Sequence, residues 1–533
     1  MTPTAPANKP KVLISDKMSP QAEAIFKNRG VEVIVKTDLK PEELVAALND
    51  VDGLAIRSST KVTADILKNA KSLKVIGRAG IGVDNVDVPA ATATGVVVMN
   101  TPFGNSITTA EHAVAMLMSL ARQIPQANAS THAGKWEKTK FMGQEIFGKT
   151  LGVIGCGNIG AIVADRAVGL KMKVIAFDPF LSAERAVELG VEKVELEDVL
   201  TRSDFITLHT PMTENTRGII NKEAIAKMKK GVRLINCARG GLIVEADLKE
   251  ALDSGHVAGA ALDVFEEEPA KANPLFGHEN VICTPHLGAS TVEAQENVAL
   301  QVAEQMADFL LQGAVSNAVN MPSVSAEDAP KLKPYMKLAE QLGSFAGQLA
   351  SEDTQEIQIE YEGLVASLNT RPLTALVLAG FLKPSMEGVN IVSAPARAKE
   401  RGMTVAETKR EKSKDFLTLV RVTVTGKSGT QSVAGSIFGG EQPRLVAIDN
   451  VPVEAQLSGE VLFIQNLDKP GLIGAVGTLL GNANVNIADF NLGRIPGQNK
   501  AIALISLDSS IDADVIGKID ALEQVERVTV LRF

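Results

Sequence analysis

The sequence predicts an α/β protein of doubly wound parallel sheets, followed by two α+β units. Three observations carry that prediction. Strand and helix signals alternate from residue 11 to residue 285, the pattern of parallel sheets covered by helices. Within that span, residues 151–178 (LGVIGCGNIGAIVADRAVGLKMKVIAFD) run apolar strand, glycine turn, helical period, apolar strand, acid. The last stretch, 460–533, reads β-α-β-β-α-β, the ferredoxin-like order.

Taken in order, residues 1–10 are an unstructured lead and 11–15 (KVLIS) start a strand. Helices at 20–29, 41–48 and 64–68 alternate with strands at 31–35, 53–57 and 75–76. Arg57 (LAIRSST) and Arg78 (VIGRAG) close two of these strands, where ligands sit in such sheets. The motif GRAGIGVDNVD crowds glycines around Arg78, so the backbone can approach a ligand there. Residues 96–104 are a strand and turn. Residues 108–122 (TTAEHAVAMLMSLAR) have the period of a long buried helix, with His112 and the methionines in a core or interface. Trp136, the single tryptophan, sits among lysines in GKWEKTKFMG and marks a packed loop or subunit contact.

The glycine unit follows. Gly155 permits the tight turn, Gly157 lets the backbone approach a pyrophosphate, and Gly160 lets the helix pack close to the strand. The helix N-terminus offers free N–H groups and a positive dipole end. Asp178 ends the second strand, where an acid binds the ribose hydroxyls and repels a 2′-phosphate. Pro179 and Phe180 supply no compensating cation, so NAD is expected rather than NADP. Strands at 204–210, 231–238, 257–264 and 281–284 then deliver Thr210, Arg239, Asp263 and His286 to their carboxyl ends, which line one crevice. A helix at 294–312 returns the chain to the first sheet, and 313–330 read as a linker. Residues 331–450 mix helix and strand, with strands at 356–361 and 417–425.

Composition bounds the function. The 533 residues make room for about three or four domains. A net charge of −9 without long blocks of one sign excludes nucleic acid as the main partner. Cys156, Cys237 and Cys283 have no CxxC spacing, so neither a disulfide framework nor a metal site is expected. No signal peptide and no apolar run of about 18 residues is visible. A cytoplasmic location without membrane contact is expected.

NAD implies hydride transfer. Oxidising a secondary alcohol needs a base for the hydroxyl proton. His286 has the right intrinsic pKa. One of the acids Glu266, Glu267 and Glu268 can fix its tautomer, and Arg239 offers a planar fork for a carboxylate.

The motifs GRAGIGVDNVD, GxGxxG, NCARGGLI, ALDVFEEEP and TPHLGAST together resemble those of the D-isomer-specific 2-hydroxyacid dehydrogenases, across residues 11–312. The resemblance implies a Rossmann-type NAD domain (105–289) inserted in a flavodoxin-like substrate domain (1–104 and 290–320). It assigns catalysis to Arg239, Glu268 (the acid directly before the proline) and His286. It adds Asn158, Ile159, Thr210, Cys237, Ala238, Arg239, Asp263, His286, Gly288 and Ala289 to the NAD contacts, and matches Arg57, Arg78 and Asn105 to positions that grip substrate. Two positions depart from the pattern: Ile81 stands where some relatives have threonine, and Lys138 where close relatives often have arginine. Residues 325–455 resemble the intervening, allosteric substrate-binding type of domain found in a long bacterial form. Residues 460–533 resemble an ACT regulatory domain, with Asn466, Asp468 and Asn486 at positions that bind L-serine. The implied reaction is NAD-dependent oxidation of 3-phospho-D-glycerate to 3-phosphooxypyruvate, the first step of L-serine biosynthesis, in a homodimer or homotetramer. Other family members reduce glyoxylate or hydroxypyruvate, or act as NAD-sensing corepressors. Arg57, Arg78 and the tail favour the phosphorylated acid, and the complete Arg-Glu-His set favours an enzyme.

Overall fold

A computed structural model describes residues 9–533 except 326, 352, 428 and 496. Most of the expected lead, residues 1–8, therefore lies outside the described residues. The first sheet has five parallel strands in the spatial order Glu32–Val35, Lys11–Ile14, Gly53–Ile56, Val75–Arg78, Val97–Met99. Its central strand Gly53–Ile56 is buried throughout, as a sheet covered on both faces requires. Two of the helices between strands start where a side chain satisfies a free N–H group. Ser19 caps Pro20–Asn28, and Asp87 accepts from the Ala90 N–H at the head of Val88–Thr94.

From Asn105 the helix Ser106–Arg122 carries the chain to a second sheet. Its seven parallel strands lie in the order Val281–Cys283, Val257–Leu262, Val232–Asn236, Phe205–Leu208, Thr150–Ile154, Lys173–Phe177, Glu192–Lys193. The order reverses between Thr150–Ile154 and Phe205–Leu208, and a crevice opens there at the carboxyl ends. The helix Val292–Gln312 then returns to the first sheet. Its Met306 is fully buried against Gly77 of the strand Val75–Arg78. Arg29 holds Glu304 and Asp308 of that helix at 2.6 Å each.

The segment expected as a linker is tied down. Val315 and Val324 exchange two backbone hydrogen bonds of 2.7 Å, and the Val319 N–H donates to the Val98 carbonyl at 2.8 Å. The Val98 N–H donates to Asn320 Oδ1 at 2.9 Å. The cause is the edge strand Val97–Met99, whose outward backbone groups need partners.

The third sheet is mixed, six strands in the order Thr404–Arg410, Thr354–Gly363, Thr418–Gly426, Gly429–Phe438, Gln442–Ile448, Val451–Ala455. The helices Asp328–Leu349 and Arg371–Leu382 pack against one another beside it, with Leu338, Leu342 and Phe345 buried in the same core as Ile357, Ile359 and Tyr361. The fourth is antiparallel, in the order Ile487–Arg494, Lys500–Leu507, Glu460–Leu467, Val525–Arg532. The helices Leu472–Asn482 and Ala513–Asp520 share its second core. No helix among the described residues is long and apolar enough to cross a membrane.

The contact at Gly77 gives a test of the returning helix. A Cβ there would lie 2.2 Å from Met306 Sδ and 2.6 Å from Val302 Cγ2. Gly77→Ala should cost about 1–3 kcal/mol, the range for overpacking a filled core, and lower the urea midpoint of unfolding. An unchanged midpoint would show that Met306 yields without cost.

Candidate active site

The glycine turn is built as its spacing requires. Gly155 ends the strand Thr150–Ile154 with φ +91°, and a Cβ on it would strike the His209 carbonyl carbon at 2.7 Å. A Cβ on Gly160 would lie 2.0 Å from the Gly155 oxygen, so helix and strand are in direct contact. Gly157, at the head of the helix Asn158–Gly169, has nothing within 4 Å of such a Cβ. One glycine turns the chain, one packs, and one faces open space beside the helix N-terminus. Asp178 stands against the same turn. Its Oδ2 accepts from the Cys156 N–H at 2.7 Å and its Oδ1 from the Phe180 N–H at 2.8 Å. Phe180 is 96% exposed and brings no charge. An open glycine, a helix N-terminus and an acid beside the turn fit NAD. Beneath them lies His209, which sequence reasoning passed over. It is bonded through Nε2 to Thr207 at 2.9 Å, and burial pushes it down to about 4, so it stays neutral.

Around the crevice the strand ends deliver the expected side chains. His286 Nδ1 lies 2.6 Å from Glu268 Oε2, and the Phe265 N–H donates to Glu268 Oε1 at 3.0 Å. The hydrogen bond to Glu268 raises the His286 pKa above its ordinary value, against the opposing effects of burial and of Arg239. Burial pushes Glu268 up, but the bonds from His286 and Phe265 outweigh it and leave its carboxyl below the usual range. Glu266 and Glu267 make no such pair, so the structure singles out Glu268 among the three.

Arg239 sits on a loop shaped by buried Asn236, which accepts from the Ala238 N–H and donates to the Arg239 carbonyl. Its Nε is 3.0 Å from the exposed Asp84 carboxylate, which arrives from the first sheet's GRAGIGVDNVD motif. Arg78 is held nearby. Burial, with the charges of Arg239 and Arg57, pushes it down to about 10. Its Nε is buried without a hydrogen-bond partner among the described residues. Arg57 donates through NH1 to the Lys17 carbonyl at 3.2 Å, and its N–H goes to Asp16. Three guanidinium groups thus converge where the two sheets meet. Asn105, at the crossing between them, has a buried Oδ1 without a partner among the described residues.

Asp263 is fully buried. Its carboxylate accepts from Thr284 Oγ1 at 2.6 Å, the Leu287 N–H at 2.7 Å and the Gly288 N–H at 2.8 Å, and lies 3.2 Å from His112 Nε2. Burial raises its pKa, and bonds from His112, Thr284 and Leu287 bring it below the usual range. Expected only to face the dinucleotide, Asp263 is the anchor of the loop that carries His286. Cys237 is buried beside it, its thiol pushed up by burial. Thr210 and Ala289 lie half-buried along the crevice, with Gly288 beneath.

The three candidate effector residues do not converge within one chain. Asn466 lies next to the end of Glu460–Leu467, its Oδ1 buried and without a partner among the described residues. Asp468 follows and pairs with Arg494 at 3.2 Å. Asn486 instead bonds Asp508 at 2.6 Å, at the opposite end of the sheet. The strands Glu460–Leu467 and Ile487–Arg494 both run antiparallel to Lys500–Leu507 between them. The end of one and the start of the other are therefore about 20 Å apart.

Removing the Asp263 anchor tests the loop directly. Asp263→Leu leaves its donors unpaired, at roughly 1–3 kcal/mol each. The Leu287 and Gly288 amides should then exchange with solvent at least about tenfold faster, since 1.4 kcal/mol is a factor of ten. Unchanged protection of those amides would show that the loop holds itself.

Comparison with known proteins gives the same picture. Residues 114–288 match the family described as D-isomer specific 2-hydroxyacid dehydrogenase, NAD binding domain. Residues 331–449 match the D-3-phosphoglycerate dehydrogenase intervening domain. The chain is 44% identical to the D-3-phosphoglycerate dehydrogenase of Bacillus subtilis, over 98% of this chain and 99% of that one. It is also 44% identical to that of Synechocystis sp., over 96% and 92%. Among solved structures, D-lactate dehydrogenase from Aquifex aeolicus, complexed with NAD and lactic acid, aligns at TM-score 0.52 and 27% identity. That alignment covers 59% of this chain and 100% of the other. Similarity over nearly the whole length, through the intervening segment as well as the NAD-binding unit, shows that this chain belongs to the D-3-phosphoglycerate dehydrogenases of the D-isomer-specific 2-hydroxyacid dehydrogenase family.

Proposed function

We propose that the chain oxidises 3-phospho-D-glycerate to 3-phosphooxypyruvate with NAD, opening L-serine biosynthesis. The observation that carries this reading is the meeting of a hydrogen-bonded His286–Glu268 pair with three arginines, one of which, Arg78, has a buried Nε without a partner among the described residues. NAD, held along Gly155, Gly157, Asn158, Ile159, Gly160 and Asp178, supplies the hydride acceptor. Arg239 holds the substrate carboxylate, as its guanidinium already holds that of Asp84. Arg57 and Arg78 take the phosphate, with Asn105 beside them. His286 removes the hydroxyl proton through Nε2, because Nδ1 is engaged by Glu268. Glu268 orients the ring and supports the imidazolium that forms.

The same reading divides the chain into a substrate unit (1–104 and 290–320), an NAD unit (105–289), an intervening unit (325–455) and a regulatory unit (460–533). L-serine is the proposed effector of the last. With Asn486 at the far end of the sheet from Asn466 and Asp468, a serine site built from all three needs two copies of the unit. Trp136, Met142 and Phe147, 73–80% exposed in the single chain, support a homodimer made through that segment.

NADH formation with 3-phospho-D-glycerate at alkaline pH tests the reading. His286→Ala should lower the rate by about 10²–10⁴-fold, the usual contribution of a general base. A parent protein idle on this substrate but able to reduce glyoxylate or hydroxypyruvate would keep the chemistry and overturn the substrate. L-serine added to the same assay should inhibit, and a flat response to high concentration would remove the effector.

The pH profile tests Glu268. His286 must be neutral to accept a proton, so kcat/KM falls as pH drops through its raised pKa. Glu268→Gln removes the partner that raises it. The acidic limb of the profile should then move to lower pH while the maximal rate falls. A limb that stays in place would mean that Glu268 does not set the pKa of the base.

A further inference from the structure

His112 lies on the helix Ser106–Arg122, one face of which backs the loop carrying His286. The Thr109 side chain lies 3.3 Å from where a Cβ on Gly288 would stand, and Met116 Sδ is 4.0 Å from Thr284 Oγ1. Between them, His112 Nε2 is 3.2 Å from Asp263 Oδ1 and 3.3 Å from Thr284 Oγ1. Thr284 has one proton, and the carboxylate, 2.6 Å away, can only accept. Thr284 therefore donates to Asp263. The remaining donor in the triangle is a His112 Nε2–H shared between carboxylate and hydroxyl oxygens, which fixes the tautomer. Asp263 passes this constraint on. Its main-chain carbonyl accepts the His286 N–H at 2.9 Å, and its carboxylate accepts the next two N–H groups. The constraint is needed because His286 adopts φ +55°, a left-handed backbone that non-glycine residues keep only when their surroundings impose it.

We propose that His112 is a positioning residue for the reaction: by donating from Nε2 to Asp263 and Thr284 it fixes the loop that aims His286. The Cys237 thiol lies in the same cluster, with its donor atom within 4.8 Å of those of His112 and Asp263. Four hydrogen-bond donors already engage the carboxylate, so the cluster serves as a relay of hydrogen bonds. The inference rests on the reading of His286 as the base, but not on the identity of the substrate.

The test compares the full-length parent with His112→Leu and His112→Gln, the glutamine amide supplying a donor where Nε2 stood. Steady-state rates are measured on 3-phospho-D-glycerate, glyoxylate and hydroxypyruvate, and NADH binding by fluorescence. His112→Leu should lower kcat roughly 10- to 100-fold, the scale of an ångström's misplacement of a catalytic group. Substrate KM and NADH affinity should stay within about threefold, and His112→Gln should recover most of the rate. A leucine variant within about twofold of the parent in kcat would overturn the proposal, as would a glutamine variant no better than leucine. Should the leucine variant lose NADH binding and so report a folding defect, Thr284→Val gives the second reading. It removes the shared hydroxyl and should lower kcat with NADH binding intact; an unchanged kcat there also overturns the proposal. A parent idle on 3-phospho-D-glycerate fails the substrate reading alone. The ratio of variant to parent on whichever acid is turned over still decides the role of His112.

Discussion

The buried carboxylate of Asp263 is the constraint on which the rest of the crevice depends. A charge with no access to water is tolerated only when its lone pairs are filled, and four donors fill them here. Two of those donors are the backbone N–H groups that follow His286, so satisfying the charge and placing the imidazole are one event. Glu268 comes to the same ring from the neighbouring loop. That loop is pressed against the Arg239 loop at Gly240, where a Cβ would lie 1.8 Å from the Phe265 carbonyl oxygen. Histidine, glutamate and arginine, far apart in sequence, are fixed relative to one another by close packing of three strand ends.

Part of this was legible in the sequence because parallel sheets put their polar residues at predictable places. Each strand of the second sheet had to end at the crevice, so Arg239, Asp263 and His286 could be named from order alone. The glycine turn was legible for a similar reason, each glycine answering a separate steric demand. His112 was not. A histidine at helical spacing among alanines and methionines has the same pattern whether it fills a core or donates to a buried carboxylate. Only the distant partner, Asp263, distinguishes the two. Asn236 and Asp84 were hidden likewise, one inside an apolar strand and the other in a glycine-rich loop.

Elsewhere the sequence misled or fell silent for physical reasons. Residues 313–330 have a linker's composition, yet an unpaired sheet edge nearby drew their backbone into hydrogen bonds. The third sheet was read only at two of its six strands. Gly429–Phe438 (GTQSVAGSIF) shows no clean alternation because its buried stretch includes a glycine packed against the helix Asp328–Leu349 and a serine, Ser436, whose hydroxyl donates to the Thr418 carbonyl. That glycine, Gly435, would put a Cβ 2.6 Å from Leu338. In the last unit the element order was plain, but order says nothing about which strand ends share a side. Asn486 therefore fell opposite Asn466.

The place where the two parallel sheets meet is electrostatically incomplete, and that incompleteness has a direction. Arg78 is half-buried and opposed by two other guanidinium groups, and its buried Nε has no hydrogen-bond partner among the described residues. Asp84 offsets part of the excess but remains 70% exposed, held by one contact with Arg239. Repulsion among these half-buried like charges is screened less than it would be at an open surface. In the proposed reading, a ligand with a carboxylate at one end and a phosphate at the other brings one anion to Arg239 and a second to the Arg57–Arg78 pair. On that placement, a substrate with the carboxylate alone would leave Arg78 facing two guanidinium groups with only Asp84 and Asp16 to offset them. On the proposed placement of the phosphate at Arg57 and Arg78, discrimination for the phosphorylated acid rests on a like-charge cost already present in the folded chain, which the second anion relieves.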